Sequence, residues 1–221
     1  MAAGGNRWRK APTDMDGGGA VRTGAGHAVG GALIGPNAIL QLIAVLDREE
    51  GRVTRDLVVA AAGVEVPPAD SGMIPEAEAA RLHLAVRRML PERAAGILRR
   101  AGLATGEYIL RHRIPRAAQW LIRGLPAPIG ARVLSAAIAR HAWTFAGSGG
   151  FRVRRGRGLV FEVMNNPLVM GLTSETPLCD WHAAVFERLF SRLVWPGCRV
   201  EEVACIAKGD PACLFRIEKA G

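Results

Sequence analysis

Residues 198–217 read CRVEEVACIAKGDPACLFRI, and the turn in their middle sets the plan of the C-terminal half. At Lys208-Gly209-Asp210 the chain must reverse, because Gly and Asp tolerate positive φ and Pro211 stops a helix. The flanks RVEEVACIA and ACLFRI are β-branched and apolar, so the spacing predicts a β-hairpin. Folding about Gly209 sets Cys205 opposite Cys213 on adjacent strands, with Cβ atoms roughly 4.5–5.5 Å apart. Two sulfurs held that way suit one edge of a metal tetrahedron, or a cross-strand disulfide. A third thiol, Cys179, stands in SETPLCDWHAAVFERLFSRLV, where Thr176-Pro177 and the helical spacing after it mark a helix start over about 178–194. The helix dipole favours a thiolate there, and three thiolates could meet if this helix packs on the hairpin. The plainer alternative is three small buried side chains, since free cysteine is among the most buried residue types.

The set Cys179, Glu202-Val203-Ala204-Cys205, IAKGDPA and Cys213-Leu-Phe-Arg-Ile resembles the four-vinyl reductase domain family. The resemblance implies a fold shared with small-molecule sensor modules and vesicle-tethering subunits. It also implies a structural zinc held by Cys179, Glu202, Cys205 and Cys213. Strand geometry sets a condition: in a regular strand Glu202 and Cys205 point to opposite faces, so Glu202 can be a ligand only past a bulge or a strand end. His182, one helical turn after Cys179, is the rival fourth ligand. Cys198 lies roughly 23 Å from Cys205 along an extended strand and is not expected to take part.

The chain has 221 residues, 49% of them hydrophobic, enough for one sizeable core. No apolar run reaches the eighteen or more residues of a spanning helix, and the N-terminus lacks the apolar block of an export signal, so a cytoplasmic protein is expected. Four unevenly spaced cysteines do not read as a secreted disulfide scaffold. The formal net charge is +9, carried mostly by arginines that read as scattered among acidic residues. Few aromatics and no DNA-binding motif accompany them, so nucleic acid is not expected as a partner. Anionic small molecules and anionic membrane surfaces suit the charge better.

Residues 1–28 are glycine-rich and without apolar periodicity, which predicts a disordered tail ahead of a single domain over 29–221. Its helical part is expected over about 36–146. Pro36 and Asn37 start a helix striped by Ile39, Leu40, Ile43 and Leu46; Gly51 ends it, and Thr54 opens a short one closed at Gly63. Pro75 begins the next, with Ala79, Leu82, Val86 and Leu90 inward and Arg81, Arg87 and Arg88 toward water. A helix from Pro91 is expected to kink at Gly102 or Gly106; RAAQWLIRGL follows Pro115, and one further helix should run to the break at Gly147. FRVRR and LVFEVMNN then read as two strands about Arg155-Gly156-Arg157, opening a sheet and zinc part over about 150–218. The expected class is α+β, a helical N-terminal half packed on one small antiparallel sheet.

Outside the cysteines, GPNAILQ, the arginine-rich helical middle, MNNP and CDWHAAVFERLF resemble the J-type branch of the same family, which serves bacteriochlorophyll biosynthesis. The likeness spans about residues 30–221. The family name implies reduction of the 8-vinyl (4-vinyl) group of divinyl protochlorophyllide or chlorophyllide. Such a reaction needs a nicotinamide, a flavin or an iron–sulfur centre, and the sequence carries no dinucleotide fingerprint, phosphate loop or nucleophile elbow. The expected function is therefore an accessory protein that binds a tetrapyrrole intermediate, a magnesium porphyrin or divinyl protochlorophyllide, and presents it to pathway enzymes. The vinyl reductase itself is the alternative, and a small-molecule sensing or tethering module is the further one. Peripheral contact with the photosynthetic membrane and homodimerisation are compatible with each. A magnesium porphyrin is a flat apolar plate with carboxylate edges and one open axial position, so it asks for a slot, a neutral histidine and arginines. His141, beside Trp143 and Phe145, is the first axial candidate; His112, between Arg111 and Arg113, is the second. Arg116, Arg123 and Arg140 are candidates for the carboxylates.

Overall fold

The computed structural model describes residues 31–156 and 158–219, so the expected tail over 1–28 lies outside the described residues. Two antiparallel sheets and seven helices make an α+β domain, among the described residues. The larger sheet has β3 (Gly150–Arg155), β4 (Leu159–Met164), β5 (Arg199–Ala204) and β6 (Cys213–Glu218) in the order β3-β4-β6-β5. The smaller sheet was not foreseen: β1 (Leu33–Ile34) pairs with β2 (Ile74–Pro75), two residues each, too short to show a period of two.

Helix α7 (Asp180–Leu193) lies against the larger sheet. Its Phe186 and Phe190 meet Phe161 of β4 and Phe215 of β6, with ring centroids 5.0 Å apart for Phe161–Phe186 and 5.4 Å for Phe186–Phe215. All four rings are essentially inaccessible, and each contributes about 1.5–3 kcal/mol of burial. On its other side α7 packs against α3 (Pro91–His112), which packs in turn on α1 (Asn37–Ala62) and α2 (Glu76–Met89).

Several helix boundaries differ from expectation for identifiable reasons. α1 bends rather than stops: Gly51 takes φ 79, ψ 164, and helix resumes at once on its far side. α3 runs unbroken through Gly102 and Gly106, where a kink was expected. Those glycines instead admit α7, since a Cβ on Gly102 would sit 2.3 Å from the Trp181 carbonyl oxygen. Beyond α4 (Arg116–Gly124), the single helix expected up to Gly147 is two, α5 (Ala127–Arg140) and α6 (Trp143–Ala146), parted at His141. No Gly or Pro marks that break. The Thr144 carbonyl in α6 accepts the Gly35 N–H at 2.7 Å, tying the segment to β1.

Candidate functional site

The hairpin forms about Gly209, whose φ of 91 is the left-handed value that glycine supplies most readily. A short 3-10 turn (Ile206–Lys208) follows β5 and places Cys205 just beyond the strand end, where its N–H donates to Asp210 Oδ2 at 2.8 Å. The pairing of β5 with β6 slips between Glu202 and Ala204. This bulge meets the condition that strand geometry imposed, because it turns Glu202 to the side on which Cys205 lies. Cys179 is the residue before the first turn of α7, and its N–H donates to Glu202 Oε2 at 2.6 Å.

Cys179, Glu202, Cys205 and Cys213 thereby bring one donor atom each to within 4.8 Å of one another. The three thiols are fully buried. Cys179 Sγ lies 3.4 Å from Cys213 Sγ and 3.9 Å from Cys205 Sγ. A tetrahedral zinc with Zn–S bonds of about 2.3 Å would set its sulfurs about 3.8 Å apart, so these separations fit one ion. Glu202 adds a second observation: its Oε1 is buried without a hydrogen-bond partner, and burial pushes the carboxyl up to about 8. Burial likewise drives Cys179 well above the usual thiol range. Cys213 rises to about 12; its contact with Cys179 lowers it, but interaction with Cys205 and burial outweigh that. Cys205, bonded by both other thiols, falls far below the usual range and carries the negative charge of the cluster. Four crowded acidic groups of which burial lets few ionise are the donor set that a divalent cation relieves.

Around these four stands a shell that the sequence did not reveal. Asn166 is buried after Asn165, which takes φ 49, and its Nδ2 donates to Cys179 Sγ at 3.3 Å and toward Cys213 Sγ at 3.7 Å. Arg87 was expected to face water but turns inward, donating to the Leu178 carbonyl beside Cys179. Its neighbours Asp180, Cys179, Cys205 and Glu202 sustain its charge against burial, so it offsets part of the anionic cluster. The motif MNNP was the only sequence signal for Asn166, and nothing in the helix pattern singled out Arg87.

His182, the rival fourth ligand, is engaged elsewhere. Its Nε2 lies 3.2 Å from the Phe145 carbonyl and its Nδ1 3.5 Å from Asn166 Nδ2, which together assign the proton to Nε2. Burial lowers its pKa to about 4, so it stays neutral. Cys198 is buried apart from the cluster, its Sγ against the Arg199 carbonyl at 3.7 Å.

The proposed ligand residues divide between two places. His112 and Arg116 line a cleft of about 540 Å³ formed by the end of α3, α4 and Arg192 of α7, with Arg111, Trp120 and Arg123 on the same walls. Arg123 Nε donates to the Arg192 carbonyl at 3.1 Å, and Arg111 pairs with Glu107 at 3.0 Å. Arg116 and Arg192 make no ion pair among the described residues. His112 stacks near Tyr108, with centroids 4.7 Å apart. His141, Arg140 and Trp143 do not join this cleft. His141 ends α5 in solvent with Nδ1 2.8 Å from the Ala137 carbonyl, and Trp143 is 47% exposed at the start of α6. Among the described residues no helix is long and apolar enough to cross a membrane.

Residues 159–219 match the model of the four-vinyl reductase domain family. Over 188 residues, the chain is 61% identical to the bacteriochlorophyll synthase 23 kDa chain of Cereibacter sphaeroides, covering 85% of this chain and 91% of that one. The corresponding protein of Rhodobacter capsulatus is 54% identical over 85% of this chain and 88% of its own. Among solved structures, the Fe(II) unliganded H-NOX protein of K. algicida superposes with a TM-score of 0.58 at 12% identity, covering 85% of this chain and 97% of that chain. An H-NOX structure from work on heme distortion in that family gives 0.54 at 13% identity, over 85% and 96%. At such identities the likeness is one of fold.

Proposed function

The chain belongs to the family of bacteriochlorophyll synthase 23 kDa chains and carries a four-vinyl reductase domain, and from that premise we propose that it serves bacteriochlorophyll biosynthesis as a tetrapyrrole-binding accessory protein. The observation that carries the reading is the cleft between α3, α4 and α7. Its volume of about 540 Å³ falls in the usual range for ligand sites. It pairs an apolar wall, Leu110 and Trp120, with arginines whose fork geometry suits the carboxylate edge of a porphyrin. His112 stands on the same rim as an axial donor for magnesium. Membership of a pathway whose intermediates are magnesium porphyrins, and a fold shared with a family in which heme distortion has been studied, support the same ligand class. The partners would be the pathway enzymes that supply and receive the pigment.

We propose further that Cys179, Glu202, Cys205 and Cys213 hold a structural zinc. When bound it supplies positive charge that lets the buried thiols and carboxylate ionise together. The chain's own part is to crowd the donors by the bulge at Glu202, to donate N–H groups to sulfur from Asn166, and to place the Arg87 guanidinium beside them.

The test is an absorbance titration of the purified chain with magnesium protoporphyrin. Wild type should give a saturable Soret shift, and Arg116→Gln with Arg192→Gln should weaken binding about tenfold or more while leaving zinc content unchanged. His112→Ala should remove the axial component of the shift. Equal binding by these variants would move the ligand elsewhere on the fold, and His141→Ala then tests the α5–α6 break. Turnover of the 8-vinyl group with a nicotinamide or ferredoxin would instead favour the reductase, and absence of any porphyrin binding would favour a sensing or tethering module.

A further inference from the structure

The α4–α5 hairpin exposes apolar side chains that nothing among the described residues covers. Trp120 is 77% exposed, Leu121 64%, Ile129 47% and Val133 40%. In α4 the exposed Ala117, Trp120, Leu121 and Gly124 fall on one helical face while Ile122 is turned in. In α5, Ile129 and Val133 recur at helical spacing, opposite the buried Gly130, Leu134 and Ile138. The charge around this face is of one sign. From Tyr108 to Gly149 the chain contains arginines at 111, 113, 116, 123, 132 and 140 and no Asp or Glu. The basic residues are therefore concentrated here rather than scattered along the chain. Arg116 and Arg123 bracket α4, and Arg132 and Arg140 are exposed on α5.

An exposed Trp-Leu pair centred among arginines is the composition of a helix lying in a bilayer interface, with the rings at headgroup depth and the guanidinium groups reaching phosphates. A partner protein would be expected to meet rim charges of both signs, whereas a single-sign rim about an apolar centre complements a surface that is itself of one sign. We propose that the α4–α5 face docks the protein on an anionic lipid bilayer. Trp120 lies both on this face and in the wall of the neighbouring cleft, so docking sets the cleft mouth at the lipid headgroups. Docking itself does not depend on the tetrapyrrole reading.

The experiment is co-sedimentation of the full chain with phosphatidylglycerol–phosphatidylcholine vesicles, and with phosphatidylcholine alone. Binding should require phosphatidylglycerol and weaken as salt rises. Arg132→Gln should lower the partition coefficient about fivefold, and Leu121→Ser with Ile129→Ser by about tenfold or more. None of these residues lines the cleft, so magnesium protoporphyrin titrations of the same variants should match wild type, which separates failure of docking from failure of pigment binding. No co-sedimentation at low salt overturns the proposal, as does co-sedimentation that neither variant reduces. Retention of the chain by a pathway enzyme through Leu121 and Ile129, without vesicle binding, overturns it too and assigns the face to a protein.

Discussion

At the scale of single residues, the cluster behaves as one unit because each of its members is costly to leave alone. A buried Glu202 with an orphaned oxygen and three crowded thiols are stable together only if a cation joins them. Elemental analysis should find about one zinc per chain, as expected for one four-donor site. Cys205→Ser or Cys213→Ser should abolish it, Cys198→Ser should leave it intact, and Glu202→Gln should lower zinc affinity far more than His182→Gln. A second residue-scale effect concerns His83, which is buried with Nε2 3.0 Å from the Ala38 carbonyl. Burial, with the Arg87 charge nearby, lowers its pKa from 6.5 to about 3. Between those values the unfolded chain binds the proton and the fold does not, so this contribution is complete above pH 6.5 and is lost as pH falls. At pH 5 the loss is about 2 kcal/mol. Denaturant titrations should therefore show the stability gap between wild type and His83→Gln narrowing by about that amount from about pH 7.5 to about pH 5. The four metal-site candidates were legible because cysteines are few and their spacing is informative. Asn166 and Arg87 were not, since a buried asparagine or arginine looks like any polar residue until the fold turns it inward.

At the scale of elements, α3 approaches α7 closely, and two glycines permit it. A Cβ at Gly102 would meet the Trp181 carbonyl at 2.3 Å and Ala184 Cβ at 2.8 Å; one at Gly106 would meet Arg188 Cβ at 2.6 Å. Helix propensity alone would make alanine the better residue by about 1 kcal/mol. The steric cost should win: Gly102→Ala is expected to destabilise by about 2 kcal/mol, because the obstacle is backbone and cannot step aside. Gly96→Ala in the same helix meets only the flexible end of Arg100, and should be neutral or stabilising by up to about 1 kcal/mol. Opposite signs in the two melting temperatures would confirm that α3 is positioned by contact with α7. The sequence made Gly102 and Gly106 look like kink sites because a glycine in a helix pattern signals either weakness or proximity, and only the partner element decides which. The strands, by contrast, were readable from their alternation and turn residues, whereas the bulge at Glu202 depended on pairing with β6 that the sequence does not encode locally.

At the scale of the whole molecule, the aromatic layer between α7 and the sheet ties the thiol cluster to the core, so metal loss should be felt globally. Chelation of zinc from the folded chain should lower the melting temperature by several degrees and broaden the transition. The α+β class was legible in the change of period near Gly147, and the pathway in motifs spread from GPNAILQ to CDWHAAVFERLF. The ligand cleft was not, because it is assembled from three helices distant in sequence. His112 and Arg116 stand in it while His141, the first candidate by sequence, stands outside. The central claim is that this cleft binds a tetrapyrrole and leaves it unreduced. It is tested most directly by mixing the chain with divinyl protochlorophyllide in the presence of a nicotinamide or reduced ferredoxin, then following the visible spectrum and analysing the extracted pigment. The account predicts a spectral shift saturating near one pigment per chain, with the vinyl group recovered intact, as one cleft implies. No shift, or recovery of the ethyl product, would contradict it.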